Sequence, residues 1–121
     1  MLNLLILEDN MQVNSLVEKS LSKNFNVFTA NTSLEALLKI KENKINVVIS
    51  DFHLFEMNGV DFLKKIDESV FKILLTGDED NQIVKKSINE KAFNLFIKKP
   101  FSLHNLGSFI LEKYVDLKKS S

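Results

Sequence analysis

Ile45-Asn46-Val47-Val48-Ile49-Ser50-Asp51-Phe52-His53-Leu54-Phe55-Glu56-Met57-Asn58-Gly59 is an apolar run that ends on a carboxylate and opens into a loop. An apolar run this short, without in/out alternation, reads as a strand buried on both faces of a parallel sheet. Working outward, the same kind of run recurs at Leu4-Leu5-Ile6-Leu7, Val27-Phe28, Ile73-Leu74-Leu75 and Leu95-Phe96-Ile97. Between the runs lie helix-period stripes: Val13, Leu16, Val17 and Leu21, then Leu34, Leu37 and Leu38. Val60, Leu63 and Ile66 form the third, and Ile83, Val84 and Ile88 the fourth. The fifth and longest is Leu103, Leu106, Ile110, Tyr114 and Leu117. The order is β-α five times, which predicts a (βα)5 fold: a doubly wound, five-stranded parallel sheet in a three-layer α/β/α arrangement. Candidate helix caps are Asp9 or Asn10, Thr32 or Ser33, Asn58, the Asp80-Asn81 pair, and Ser102.

Composition narrows the function. The 121 residues make one ordinary domain, expected over 1–118, with Lys119-Ser120-Ser121 as a frayed tail or the start of a linker. Apolar residues are 45% of the chain, enough for a real core. There is no cysteine, so thiol catalysis, disulfides and Cys-ligated zinc are excluded. No apolar run approaches the roughly 20 residues of a membrane span, and no signal-peptide pattern opens the chain, so a cytoplasmic protein without membrane attachment is expected. The charge balance is zero, with 16 acidic and 16 basic residues, which argues against direct nucleic-acid binding. All 16 basic residues are lysine, so phosphate contacts fall to lysine, hydroxyls, backbone N–H groups or a metal rather than to a bidentate arginine.

The strand ends carry the chemistry. Glu8-Asp9 follows the first run, Asp51 the third, Thr76 the fourth and Lys99-Pro100 the fifth. In an open parallel sheet these ends converge on one crevice. Three carboxylates, a hydroxyl and an ammonium would meet there, a set able to hold a hard divalent cation and receive a phosphoryl group. Taken singly each residue has a plainer reading. Asp9 with Gln12 is a loose capping box, Asp51 a turn residue, Thr76-Gly77 a strand exit and Lys99 a solvated lysine. Their placement on one rim favours the shared site.

The motifs Ile6-Leu7-Glu8-Asp9-Asn10, Val48-Ile49-Ser50-Asp51, Met57-Asn58-Gly59, Leu74-Leu75-Thr76-Gly77 and Lys99-Pro100-Phe101 resemble the receiver domain of bacterial two-component response regulators, the CheY-like (flavodoxin-like) fold. The resemblance covers essentially the whole chain. It implies that Asp51 is the phosphoacceptor for a phosphohistidine donor, a sensor histidine kinase or phosphotransfer protein. It implies that Mg2+ is the cofactor, held by Asp9, Glu8, Asp51 and the main-chain carbonyl of His53. Lys99 would pair with the acceptor carboxylate and then with a phosphoryl oxygen, and Thr76 would give its hydroxyl to the bound phosphoryl group. Thr76 and Phe96 would form the switch, and the fourth helix, fifth strand and fifth helix would face an output domain or partner. Such a protein is not an enzyme beyond catalysing its own phosphorylation and dephosphorylation. Phe109 and Leu111 on the last helix suggest a partner or homodimer surface.

The chain departs from the pattern in places. Phe55 stands where proline is usual, which predicts a looser loop. Thr76 to Lys99 is one residue longer than in the commonest receivers, so Lys98 is the alternative site lysine; a receiver subset ending Phe-Leu-x-Lys-Pro favours Lys99 and a cis bond before Pro100. That subset often precedes output domains such as HD-GYP phosphodiesterases. His53 and Asp78 occupy positions that tune phosphoryl lifetime in the family; His53 also reads as an ordinary loop histidine. Three other classes compete. A haloacid dehalogenase-type phosphatase needs an acid where His53 stands. A flavodoxin-like FMN module needs a phosphate-binding loop where Glu8-Asp9 would repel phosphate. A docking-only receiver would not need the full acceptor set.

Overall fold

Parallel strands carry the chain through a computed structural model that describes residues 1–78, 80–99 and 102–119. The elements alternate: β1 (Asn3–Leu7), α1 (Met11–Leu21), β2 (Asn26–Ala30), α2 (Ser33–Glu42), β3 (Val47–Asp51), α3 (Gly59–Lys64), β4 (Phe71–Thr76), α4 (Gln82–Glu90), β5 (Leu95–Lys98) and α5 (Leu106–Lys119). All strand pairs are parallel, in the order β2-β1-β3-β4-β5. The doubly wound (βα)5 sheet is therefore the fold. β3 begins at Val47 rather than Ile45, because Asn46 is occupied at the strand entry: its side chain accepts the Asn3 N–H, and its own N–H bonds the Asn3 carbonyl.

Alternate residues of the central strands feed two separate cores. Leu5, Leu7, Val48 and Leu74 pack with Ala36, Val60, Leu63 and Val84 of α2, α3 and α4. Leu4, Ile6, Val47, Ile49, Ile73 and Leu75 pack with Val17, Leu21, Leu106 and Ile110 of α1 and α5. β2 and β5 lie at the sheet edges and are only partly buried, as edge position dictates.

Four helices begin on side-chain caps. Asn10 accepts the Gln12 and Val13 N–H groups, Thr32 that of Glu35, Asn58 that of Asp61 and Asn81 that of Ile83. Asn10, not Asp9, is thus the α1 cap, which leaves the Asp9 carboxyl for another role. Ser102 does not cap α5. Its hydroxyl accepts the His104 N–H in a turn, and the helix starts at Leu106 after Asn105, whose φ of 58° is one that asparagine tolerates.

The stripes are corrected in part. In α2 the sheet-facing residues are Ser33, Ala36, Leu37 and Ile40, while Leu34 is 67% exposed and Leu38 49%. The small residues let the helix lie close to the sheet, and the leucines rotate outward. Leu16, Ile83, Ile88, Leu103 and Leu117 are likewise exposed, and Leu111 is half-buried against the α1/α5 core rather than free at the surface. The Lys99-Pro100 bond and the tail Ser120-Ser121 lie outside the described residues.

Candidate functional site

Glu8 follows β1, Asp51 ends β3, Thr76 ends β4 and Lys99 follows β5. These four strands are consecutive neighbours in the sheet, so one rim carries all four side chains. The strand order reverses direction of growth between β1 and β3, which opens the crevice beside Asp51.

The centre is a three-membered charge cluster. Lys99 Nζ lies 2.8 Å from Asp51 Oδ1 and 3.5 Å from Glu8 Oε2. Asp51 is only 7% exposed and Glu8 5%, so both depend on a counter-charge. Lys99 makes these contacts, and Lys98 is the exposed last residue of β5. Just past the end of β5, the Lys99 N–H bonds the Thr76 carbonyl at 2.9 Å.

Burial raises the Asp51 pKa, and the Glu8 charge adds to it; the Lys99 hydrogen bond and charge, with His53, pull the other way without cancelling the rise. Lys99 itself is held above its ordinary range: burial opposes this, but the hydrogen bond to Asp51 and the charges of Asp51 and Glu8 together prevail. Asp9 is also raised, by partial burial and then by the charges of Glu8 and Glu56, against a hydrogen bond from the Phe55 N–H. Negative charge is therefore in excess at the Asp9 corner.

Thr76 is buried at the rim, and its Oγ1 accepts the Asp78 N–H at 2.9 Å. An accepting hydroxyl keeps its own O–H for another partner. Phe96 is half-buried against the core under α3 and α4, with its ring 6.2 Å from that of Phe93. The His53 imidazole turns outward, with Nε2 3.3 Å from Asp78 Oδ2, and its backbone bridges Asn58 across the loop.

Among the described residues, no three His, Cys, Asp or Glu side chains gather into a ready-made metal cage. Mg2+ does not require one, because it keeps several waters and uses one or two carboxylates. Glu8, Asp9 and Asp51, at the ends of β1 and β3, bring only oxygen donors to this rim, the donor type such a cation takes. Asp9 is raised by burial first and by the Glu8 and Glu56 charges second, and a cation at that corner would offset both.

Several supporting residues were not visible in the sequence reading. Asn14 and Asn31 donate to the Glu8 carbonyl at 2.9 and 3.3 Å, holding the acidic pair in place. Glu56 Oε1 accepts from both the N–H and the hydroxyl of Ser33, each at 3.2 Å. The one available signal was a further carboxylate in the acceptor loop. Gly59 approaches so closely that a Cβ there would lie 2.2 Å from the Asp51 carbonyl oxygen.

Comparison with known proteins agrees with this geometry. The family model for the response regulator receiver domain matches residues 4–110. The chain belongs to that family. It is a phosphoacceptor switch module of two-component signalling. It is 26% identical over 121 residues to sporulation initiation phosphotransferase F of Bacillus subtilis, covering 97% of this chain and 96% of that protein. It is 28% identical to the transcriptional regulatory protein CrdR of Helicobacter pylori over 92% of this chain. It is 24% identical to the hydrogenase transcriptional regulatory protein HoxA of Cupriavidus necator over 80% of this chain. The receiver spans only 54% of CrdR and 21% of HoxA. Among solved structures, a CheY-like receiver domain from Methanospirillum hungatei superposes with a TM-score of 0.88 at 24% identity, covering 100% of this chain and 99% of that one. The receiver domain of an HD domain-containing protein from Pseudomonas fluorescens gives 0.86 at 26% identity, covering 99% and 98%. Among the described residues no helix is long and apolar enough to cross a membrane.

Proposed function

We propose that Asp51 accepts a phosphoryl group from a phosphohistidine of a sensor histidine kinase or phosphotransfer protein, with Mg2+ as cofactor. The observation that carries this reading is the Lys99–Asp51 contact of 2.8 Å beside Glu8, on the rim formed by four adjacent parallel strands. Asp9, Glu8, Asp51 and the His53 carbonyl hold the cation, which when bound neutralises charge on the phosphoryl oxygens.

An Asp51 carboxylate oxygen bonds to phosphorus as the phosphorus–nitrogen bond breaks, and the electron pair leaves with the donor imidazole. Lys99 keeps Asp51 ionised and aimed before transfer, then pairs with a phosphoryl oxygen. Thr76 turns its free O–H to the phosphoryl group once it is bound. Hydrolysis reverses the modification when water takes the phosphoryl group and Asp51 regains its carboxylate. Self-catalysed phosphorylation and dephosphorylation are thus the chemistry of this domain.

The movement of Thr76 is coupled to Phe96 at the partly buried edge strand, which changes the α4-β5-α5 face offered to an output domain, a partner protein or a second copy. A modification shifts that face only by as much as it favours one arrangement over the other. The domain acts in the cytoplasm, without direct nucleic-acid or membrane contact of its own.

Intact-mass spectrometry after incubation with acetyl phosphate tests the reading, with and without Mg2+, on wild type and Asp51→Asn. One phosphoryl mass that requires both Mg2+ and Asp51 is expected. Equal labelling of the two proteins refutes the acceptor assignment.

A further inference from the structure

The backbone ladders that align β1 end at Leu7, which pairs with Ala30 of β2 and Ser50 of β3. One more backbone bond follows, from the Glu8 N–H to the Ala30 carbonyl at 3.2 Å. The Glu8 carbonyl is then met by side chains: it accepts the Asn14 amide at 2.9 Å and the Asn31 amide at 3.3 Å. That carbonyl sets the plane of the Glu8–Asp9 peptide. Asn14 Nδ2 also lies 3.4 Å from the Ala30 carbonyl oxygen, so one amide spans the ends of β1 and β2. With the Glu8 N–H tied on one side and its carbonyl on the other, both peptide planes that flank the Glu8 Cα are held. The Glu8 carboxylate is thereby aimed at Lys99 and at the Asn10 N–H, and Asp9 starts from a fixed point. The anchor is firm, because Asn14 shares the buried face of α1 with Val17 and Leu21.

Packing alone does not explain an asparagine at this place. Asn14 is 5% exposed, and among the described residues its Oδ1 has no hydrogen-bond partner. The amide cannot turn to relieve this, since turning would set Oδ1 against two carbonyl oxygens. A buried acceptor without a partner is destabilising. Neither carbonyl depends on Asn14 for its only bond, because the Glu8 carbonyl keeps Asn31 and the Ala30 carbonyl keeps the Glu8 N–H.

We propose that Asn14 is a positioning residue for the cation-binding acidic pair: its amide locks the Glu8–Asp9 peptide to the end of β2 and adds nothing to overall stability. The proposal rests on the reading of Glu8 and Asp9 as Mg2+ ligands, but the lock itself belongs to the metal-free protein.

Leu branches at Cγ as Asn does and carries neither polar atom. Wild type, Asn14→Leu, Asn14→Ala and Asn31→Ala are compared by thermal melting and by amide hydrogen exchange without Mg2+, then by calorimetric titration with MgCl2. Asn14→Leu is expected to melt within about 4 °C of wild type. Its Glu8 N–H should exchange about tenfold faster, while the Leu5 and Ile6 amides inside β1 keep wild-type protection. Its Mg2+ affinity should fall about tenfold, the low end for removing a group that orients a metal ligand. Asn31→Ala, which removes the longer bond, should lose less than about threefold. Wild-type exchange at Glu8 in Asn14→Leu overturns the lock. Faster Glu8 exchange with unchanged Mg2+ affinity overturns the positioning role. A larger fall in melting temperature, with faster exchange throughout β1, shows a purely structural asparagine and also overturns the proposal. If the leucine variant does not fold, Asn14→Ala carries the same comparison, and failure of both to fold is again the structural outcome. A wild type that binds no Mg2+ refutes the ligand reading of the pair, and the exchange measurement then decides separately whether the lock exists.

Discussion

Gly59→Ala is the sharpest test of how the acceptor strand is placed. A Cβ at residue 59 would stand 2.2 Å from the Asp51 carbonyl oxygen, 3.0 Å from the Asp51 carbonyl carbon and 3.0 Å from Phe52 Cα. All three are backbone atoms, so no side chain can rotate away to make room. Ordinary contact needs more than about 1 Å of further separation. The Gly59 N–H is meanwhile bound to the Phe52 carbonyl at 2.7 Å, and separating the segments breaks or stretches that bond. A lost hydrogen bond costs about 1 kcal/mol and overpacking about 1–3 kcal/mol, so a loss of about 2–4 kcal/mol is expected. For a domain of this size that lowers Tm by roughly 8–16 °C. Because the displaced backbone is that of Asp51 itself, phosphorylation by acetyl phosphate should fall well beyond the unfolded fraction. Urea denaturation and intact-mass labelling, both at a temperature where the variant is folded, make the check. A variant that melts within about 2 °C of wild type and labels at the wild-type rate refutes the close-approach argument.

Asp51→Asn tests the electrostatics of the same position. Burial, then Glu8, raises the folded Asp51 pKa, so this group contributes stability below its unfolded range and loses it as pH rises through the raised folded range. In Mg2+-free buffer the variant should therefore match wild type in acid and exceed it at neutral pH, by about 1 kcal/mol or less; a variant less stable than wild type at pH 7 contradicts the sign. Lys99→Ala should slow labelling of Asp51 by about 100-fold, the usual loss on removing a preorganised positive or hydrogen-bonding group from developing charge, whereas Lys98→Ala should change it less than about twofold. Comparable losses in the two variants overturn the assignment of the site lysine.

The sequence alone determined the strands and the rim. Apolar runs such as Leu4–Leu7 and Val47–Ile49 have no polar face, so they have to be covered on both sides, and only helices after each strand can cover them. Once the strands are parallel, Asp51, Thr76 and the residues after β1 and β5 fall at one end by connectivity, and Asn58 marks a helix start by local hydrogen bonding, whereas the structure chose Asn10 over Asp9 and Asn81 over Asp80. The tertiary structure decided what depends on groups far apart in sequence or on a half-turn of rotation. In α2 the Leu34/Leu38 stripe and the Ala36/Leu37/Ile40 stripe both have helical spacing, and closeness of approach to the sheet selected the second. Which of two adjacent lysines enters the site depended on where β5 stops, since neighbouring strand residues point to opposite faces. Gly59 reads in sequence as a turn glycine, yet its φ is not positive, and the requirement is clearance against the Asp51 backbone. Glu56 has no local signature, because its partner Ser33 becomes a neighbour only when β3 and α2 have packed on the same sheet.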